Sequence, residues 1–177
     1  TDLDIGMNQR LCEPFKWEEG RTYKRGKVMT HEMLEAGREF GRYLDVDGDG
    51  IPFRTYPGAH PTKGSYFTRG TTKNAYAMYS EAGPDYMYNV QRLLRKFETA
   101  KNLVPQPVLH KAKQKSKFGA IYFGSTSPAM YEAVEALEAQ GVHLDTLRVR
   151  AFPFSDAVAD FIAEHEHAFV IEQNRDA

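Results

Sequence analysis

The sequence has one cysteine, Cys12, among 177 residues. A disulfide within the chain is therefore excluded, and so is a zinc or iron–sulfur centre built from its own thiolates. No apolar run approaches the ~20 residues of a membrane span. The opening Thr1-Asp2-Leu3-Asp4 has neither the basic nor the apolar region of a signal peptide. Excess charge of either sign is missing as well. The chain has 23 Lys+Arg against 24 Asp+Glu, so global charge points neither to nucleic acid nor to anionic membrane. Repeats and low-complexity tracts are absent. These absences leave a soluble globular chain of a reducing compartment, with the cytoplasm as its expected location, rich in Tyr (10) and Phe (11).

The periodicity that is present divides the chain. Residues 1–83 carry Gly, Pro, Thr, Asn and Asp every few positions and read as an irregular connecting arm. One short helix is expected from about Thr30, a fitting N-cap, to Tyr43. Two short strands are expected at Phe53–Tyr56 and Ser65–Thr68. Residues 84–107 read as a helix and linker: Tyr86, Val90, Leu93, Leu94 and Phe97 recur at helical spacing, and Pro105 and Pro107 stop the pattern. Residues 108–177 alternate strand and helix. Strands are expected at 118–124, 144–149 and 168–172, with a fourth from Val108–Ala112. The helices between them are capped by Ser127 and Ser155, and Gly141 ends the first. That order predicts right-handed βαβ crossovers and a three-layer α/β domain with a mainly parallel sheet.

Several groups invite a chemical reading. Asp45, Asp47 and Asp49, followed by Gly50, copy the opening of a calcium loop, but the twelfth position is Tyr56 rather than a bidentate Glu. A tight acidic turn accounts for them better. Thr68, Arg69, Thr71 and Asn74 place hydroxyls, a guanidinium and an amide close together, a set able to hold a carboxylate or phosphate. The 58–64 loop sets glycines around Lys63 but lacks the Gly-Lys-Ser/Thr ending of a phosphate loop, so a solvated loop is expected there. His165 and His167 lie two apart and diverge on a helix, so helix-end solvation is expected there. Eight cations between 91 and 117 face only Glu98; a solvated linker is expected, with docking to an acidic partner as the second reading.

Several stretches together resemble the large (alpha) subunit of 2-oxoacid:ferredoxin oxidoreductases, closest to the 2-oxoglutarate type. They are D-L-D-I-G-M-N at 2–8, C-E-P-F at 12–15, G-R-Y-L-D-V-D-G-D-G-I-P-F-R-T-Y-P-G at 41–58, Y-F-T-R-G-T at 66–71, R-L-L-R-K-F-E-T-A at 92–100, R-V-R-A-F-P-F at 148–154 and V-I-E-Q-N-R-D-A at 170–177. The last sixty residues also resemble transketolase C-terminal domains. The resemblance implies a fragment of a thiamine-diphosphate enzyme that converts a 2-oxoacid and CoA to acyl-CoA and CO2 and reduces ferredoxin. It implies that this fragment alone binds no cofactor and contributes scaffold and subunit contacts. Its expected partners are the remaining large-subunit domains and a beta subunit carrying thiamine diphosphate, magnesium and an iron–sulfur cluster, in a dimer of heteromers. Thr68, Arg69, Thr71, Asn74, His60 and Lys63 become the residues expected to touch substrate or CoA. The competing readings are a non-catalytic dimerisation module using the 45–50 loop for calcium, and the C-terminal piece of a transketolase-like enzyme.

Overall fold

The computed structural model describes residue 14 and residues 16–172. Cys12, the 2–8 stretch and residues 173–177 lie outside them. The described chain forms two compact units, one of residues 16–100 and one from residue 101 onward.

In the first unit the helix expected over Thr30–Tyr43 is a single turn and a half, α1 (His31–Glu35). Thr30 caps it as expected, its hydroxyl accepting from the Met33 amide. The helix stops early because Gly37 takes φ +79°, a left-handed conformation that breaks helical hydrogen bonding. The strands expected at 53–56 and 65–68 do not form. Arg54 makes one isolated bridge to Val28, and Lys73 makes another to Tyr79. β-prone side chains without a neighbouring strand have no ladder to join.

Helix α2 (Gly83–Ala100) has Pro84 in its first turn, where the missing amide costs nothing. Its orientation reverses the expectation from its apolar stripe. Arg92 is the buried residue, whereas Tyr86, Val90, Leu93, Leu94 and Phe97 are all exposed. The inner flank is polar and grips loop backbone. The Tyr88 hydroxyl accepts from the Asp45 amide at 2.9 Å, Asn89 donates to the Lys73 carbonyl, Arg92 to the Gly50 carbonyl at 3.1 Å, and Thr99 to the Asp49 carbonyl at 2.7 Å.

The second unit is the α/β domain the alternation predicts. Strands β1 (Val108–His110), β2 (Phe118–Tyr122), β3 (Leu144–Arg148) and β4 (His167–Ile171) lie in the order β1-β3-β2-β4. β2 pairs in parallel with β3 and β4, and β1 closes one edge antiparallel to β3. Side chains of β2 alternate faces. Ala120 and Tyr122 pack with Met130 of α3 (Ser127–Ala139), and Ile121 packs with Leu147 and with Phe161 of α4 (Asp156–Glu164). The helices thus cover opposite faces. The two crossovers run in opposite directions across the sheet, and crossovers of equal hand then require this. Gly119 lets α4 approach: a Cβ there would sit 2.7 Å from Phe161.

Capping differs in detail from the expectation. Ser127 lies inside α3, after a short 3-10 turn, and its hydroxyl donates to the Gly124 carbonyl. Ser155 makes no capping bond. Gly141, at φ +79°, ends α3 as expected, its amide donating to Glu138.

His165 is not solvated at a helix end. Its side chain is 1% exposed, with Nδ1 against the Phe161 carbonyl and Nε2 3.1 Å from Asp145. Asp145 also accepts from the Ala112 amide and lies 3.2 Å from the Lys111 ammonium. Burial by itself would raise the Asp145 pKa, but the Ala112 amide, His165 and Lys111 outweigh it and the net shift is downward. A carboxylate depressed on folding stabilises above its unfolded value of about 3.9 and loses that contribution as pH falls through the folded value. Urea titrations should therefore show an acid limb below about pH 4. Asp145→Ala should flatten that limb and cost about 3 kcal/mol at neutral pH, the penalty of orphaning a buried pair; an unchanged limb would show that Asp145 does not anchor the domain.

Candidate functional site

The residues expected to bind substrate or CoA do not converge on one place. His60 and Lys63 line a cavity of about 370 Å3 with Thr55, Tyr56 and Tyr66. Arg69 borders a broader hollow with Phe67, Tyr76 and Tyr79, its guanidinium 5.6 Å from the Tyr79 ring centre. Thr71 borders a third, with Lys73 and Asn89. Thr68 is half-buried. Asn74 builds a turn: its side-chain oxygen accepts from the Tyr76 and Met78 amides, both at 3.0 Å, and Ala77 closes the turn at φ +71°.

Around His60 the structure assembles a group that sequence reading missed. His31 and Glu35 stand one turn apart on α1 and face the 57–64 loop. The His31 ring stacks on His60 with centroids 4.9 Å apart, and its Nδ1 lies 3.3 Å from the Ala59 carbonyl. Glu35 bonds His60 Nε2, and the Lys63 ammonium is 3.6 Å from the same carboxylate. The His60 bond first, and then the Lys63 charge, hold the Glu35 carboxyl below its ordinary range. The 25 residues between the partners, with no periodicity linking them, left no sequence signal.

His31, Glu35 and His60 are the set of potential metal ligands that the described residues bring together, with atoms within 4.8 Å of one another. The hydrogen bonding favours a different use. His60 Nδ1 accepts from the amides of Thr62 at 3.1 Å and Lys63 at 2.9 Å. That fixes the proton on Nε2, where it is donated to Glu35. A metal would have to displace this proton beside the Lys63 cation. Both His60 nitrogens are committed, so the ring positions the loop, and the Lys63 ammonium is engaged by Glu35 and by the Leu34 carbonyl at 3.2 Å.

The acidic turn is engaged by cations of the chain itself. The Lys27 ammonium lies 2.7 Å from both Asp47 and Asp49. Asp45, its side chain 2% exposed, pairs with Arg95 at 3.1 Å and accepts from the Gly50 amide. Burial opposes the Lys27 charge, but the bonds to Asp47 and Asp49 outweigh it and raise its pKa. The carboxylates that a calcium ion would need are thus already paired with Lys27 and Arg95.

The basic stretch is likewise largely compensated. Lys101 meets Asp156, Lys111 meets Glu164, Lys113 meets Glu138 and Lys117 meets Glu166. Arg95 meets Asp45, so Arg92, Lys96 and Lys115 are the members of the run without an ion pair among the described residues.

Long-range nitrogen-15 NMR should find His60 in the Nε2–H form, with zinc at equimolar concentration leaving its signals in place; an Nδ1–H form would remove the argument against a metal. Calcium up to about 1 mM should give no saturable heat. Lys27→Met should cost about 1 kcal/mol in urea denaturation, as a partly exposed pair is lost. A micromolar calcium signal in the unaltered chain would contradict this assignment.

No protein-family model matches the sequence, and neither does any curated protein. Among solved structures, the chain is similar to a 2-oxoglutarate:ferredoxin oxidoreductase from Magnetococcus marinus, determined with 2-oxoglutarate, coenzyme A and succinyl-CoA bound. The TM-score is 0.64 at 19% identity, over 78% of this chain and 24% of that one. The chain therefore spans about a quarter of that relative's length and shares its fold over that part.

Proposed function

We propose that this chain is a segment of the large subunit of a 2-oxoacid:ferredoxin oxidoreductase, closest to the 2-oxoglutarate type. The observation that carries the reading is the agreement of two independent likenesses. The motif set runs through the chain in order, and the fold matches a solved enzyme of that activity over 78% of the chain. The assembled enzyme would convert a 2-oxoacid and CoA to acyl-CoA and CO2, with the electrons passing to ferredoxin.

The residues present do not fit the cofactors of that reaction. One cysteine cannot ligate a cluster. The clustered carboxylates that could attract magnesium are held by Lys27 and Arg95. In this reading the segment therefore supplies scaffold, contacts to the remaining large-subunit domains and to a thiamine-diphosphate-carrying beta subunit, and loops near the site. The C-terminal unit corresponds to a transketolase C-terminal-like domain, and the assembly is a cytoplasmic dimer of heteromers. Among the described residues no helix is long and apolar enough to cross a membrane. Arg69 and Lys63, with Thr68, Thr71, Asn74 and His60 around them, are the groups proposed to meet an anionic part of substrate or CoA.

The test uses the reconstituted complex and the chain by itself. The chain alone should reduce no viologen dye with 2-oxoglutarate, CoA and thiamine diphosphate. In the complex, Arg69→Ala should raise KM for 2-oxoglutarate or CoA about tenfold or more, because a charge-assisted hydrogen bond contributes roughly 1.5–3 kcal/mol. Turnover by the isolated chain would refute the segment reading, and unchanged constants would make Arg69 structural.

A further inference from the structure

The least compensated charge among the described residues lies away from the His60 loop. A cavity of about 340 Å3 is lined by Arg25, Lys27, Arg42, Arg54, Arg92 and Lys96, and no acidic side chain borders it. Lys27 is neutralised by Asp47 and Asp49. Among the described residues none of the other five forms an ion pair. Five like charges around one hollow repel each other, and an anion entering the hollow relieves that repulsion.

Arg25 and Lys96 are exposed, but Arg92 and Arg54 are built into the wall of the cavity. Arg92 is 5% exposed; burial and then the neighbouring Arg42 charge work against its cation and outweigh the support it has from Tyr88, Asp45 and Tyr43. Arg54 Nε is buried with no hydrogen-bond partner. An orphaned buried donor is costly unless something outside the chain accepts from it. The Tyr43 ring lies 5.4 Å from the Arg42 guanidinium and 5.6 Å from that of Arg92, holding both in place.

The chemistry of the lining selects the ligand. Four of the five free cations are arginines, whose forked donors match phosphate oxygens two at a time. A single carboxylate would balance only one of them. Gly26, at φ +78° with nothing within 4 Å of where a Cβ would stand, leaves backbone open to close approach. Ile51, Pro52 and Leu93 give the cavity an apolar wall for an uncharged part. We propose that this cavity binds a molecule carrying two or more phosphate groups, either free diphosphate or a nucleoside diphosphate. The site is independent of the oxidoreductase reading: it would stand if that reading failed, and its failure would leave that reading untouched.

The experiment is calorimetric titration of the full 177-residue chain with inorganic diphosphate, ADP and glutarate at about 50 mM and about 200 mM salt. Diphosphate or ADP should bind saturably at one site, more weakly at the higher salt, and glutarate should bind at least tenfold more weakly. Arg42→Gln and Lys96→Gln, at the rim of the cavity, should each lower the affinity about tenfold. Lys115→Gln, in the other unit, should not. Circular dichroism establishes that each variant is folded; Arg92 is left intact because its burial ties it to folding. Tighter ADP than diphosphate identifies a nucleotide as the ligand type, and equal affinity identifies the diphosphate alone. Absence of saturable binding to the folded chain would overturn the proposal. So would binding that survives both rim substitutions together, or a poly-aspartate peptide that binds more tightly than diphosphate.

Discussion

The packing of the 16–100 unit depends on one close approach, that of Gly50 to helix α2. A Cβ at Gly50 would lie 2.3 Å from the Lys96 amide nitrogen and 2.5 Å from the Arg92 carbonyl oxygen, so only glycine lets the loop rest on the helix backbone. Once it rests there, the loop's polar backbone groups need partners. Tyr88, Arg92 and Thr99 supply them from one flank of the helix, and Asn89 on the same flank holds the Lys73 carbonyl of another loop. This consumes the polar side of α2 and turns its apolar side outward, with Tyr86 at 61% exposure and Leu94 at 59%. An amphipathic helix used in this sense leaves a hydrophobic stripe that a solitary protein would gain nothing by displaying. That fits the subunit contacts proposed for this segment.

This reversal marks where sequence reading stops. The stripe at Tyr86, Val90, Leu93 and Phe97 was legible and correctly gave a helix. Periodicity reports that a helix has two faces, but not which face the rest of the unit takes. The α/β domain was more legible because its information is local. Each strand of the expected set appears, including β1 from the Val108 stretch, since buried runs, helix starts and Gly141 are written within a few residues of the elements they define. The 53–56 and 65–68 segments had β-prone side chains but depended on partners elsewhere in the chain, and those partners did not form ladders. His165 was misread for the same reason. Besides Phe161 nearby, it meets Asp145, twenty residues away on β3, and nothing near it in sequence announces that contact.

The candidate site follows the same division. The 45–50 turn was recognisable as acidic, yet its cation, Lys27, arrives from upstream. Glu35 and His60 meet across 25 residues, and the loop they fix owes its shape to both. Residues chosen for chemistry within one short window, such as Arg69, Thr71 and Asn74, were separated by the fold. Asn74 spends its carbonyl on a turn, and Arg69 and Thr71 border different hollows. Type and spacing identify groups capable of chemistry; the path of the backbone decides whether they face a common ligand.

Charge allocation brings these threads together. A formal net charge of −1 reads as near-neutrality everywhere, but the folded chain distributes it unevenly. Lysines of the 101–117 stretch meet Asp156, Glu164, Glu138 and Glu166, and the acidic turn is matched by Lys27 and Arg95. The pairings that neutralise these conspicuous runs use up the nearby acids. Arg25, Arg42, Arg54 and Arg92 come from separate stretches of sequence and line one cavity that no carboxylate borders. A run of like charge in sequence is conspicuous and readily compensated. A cluster assembled by folding is invisible in composition, and an anion from outside the chain is then the group able to balance it.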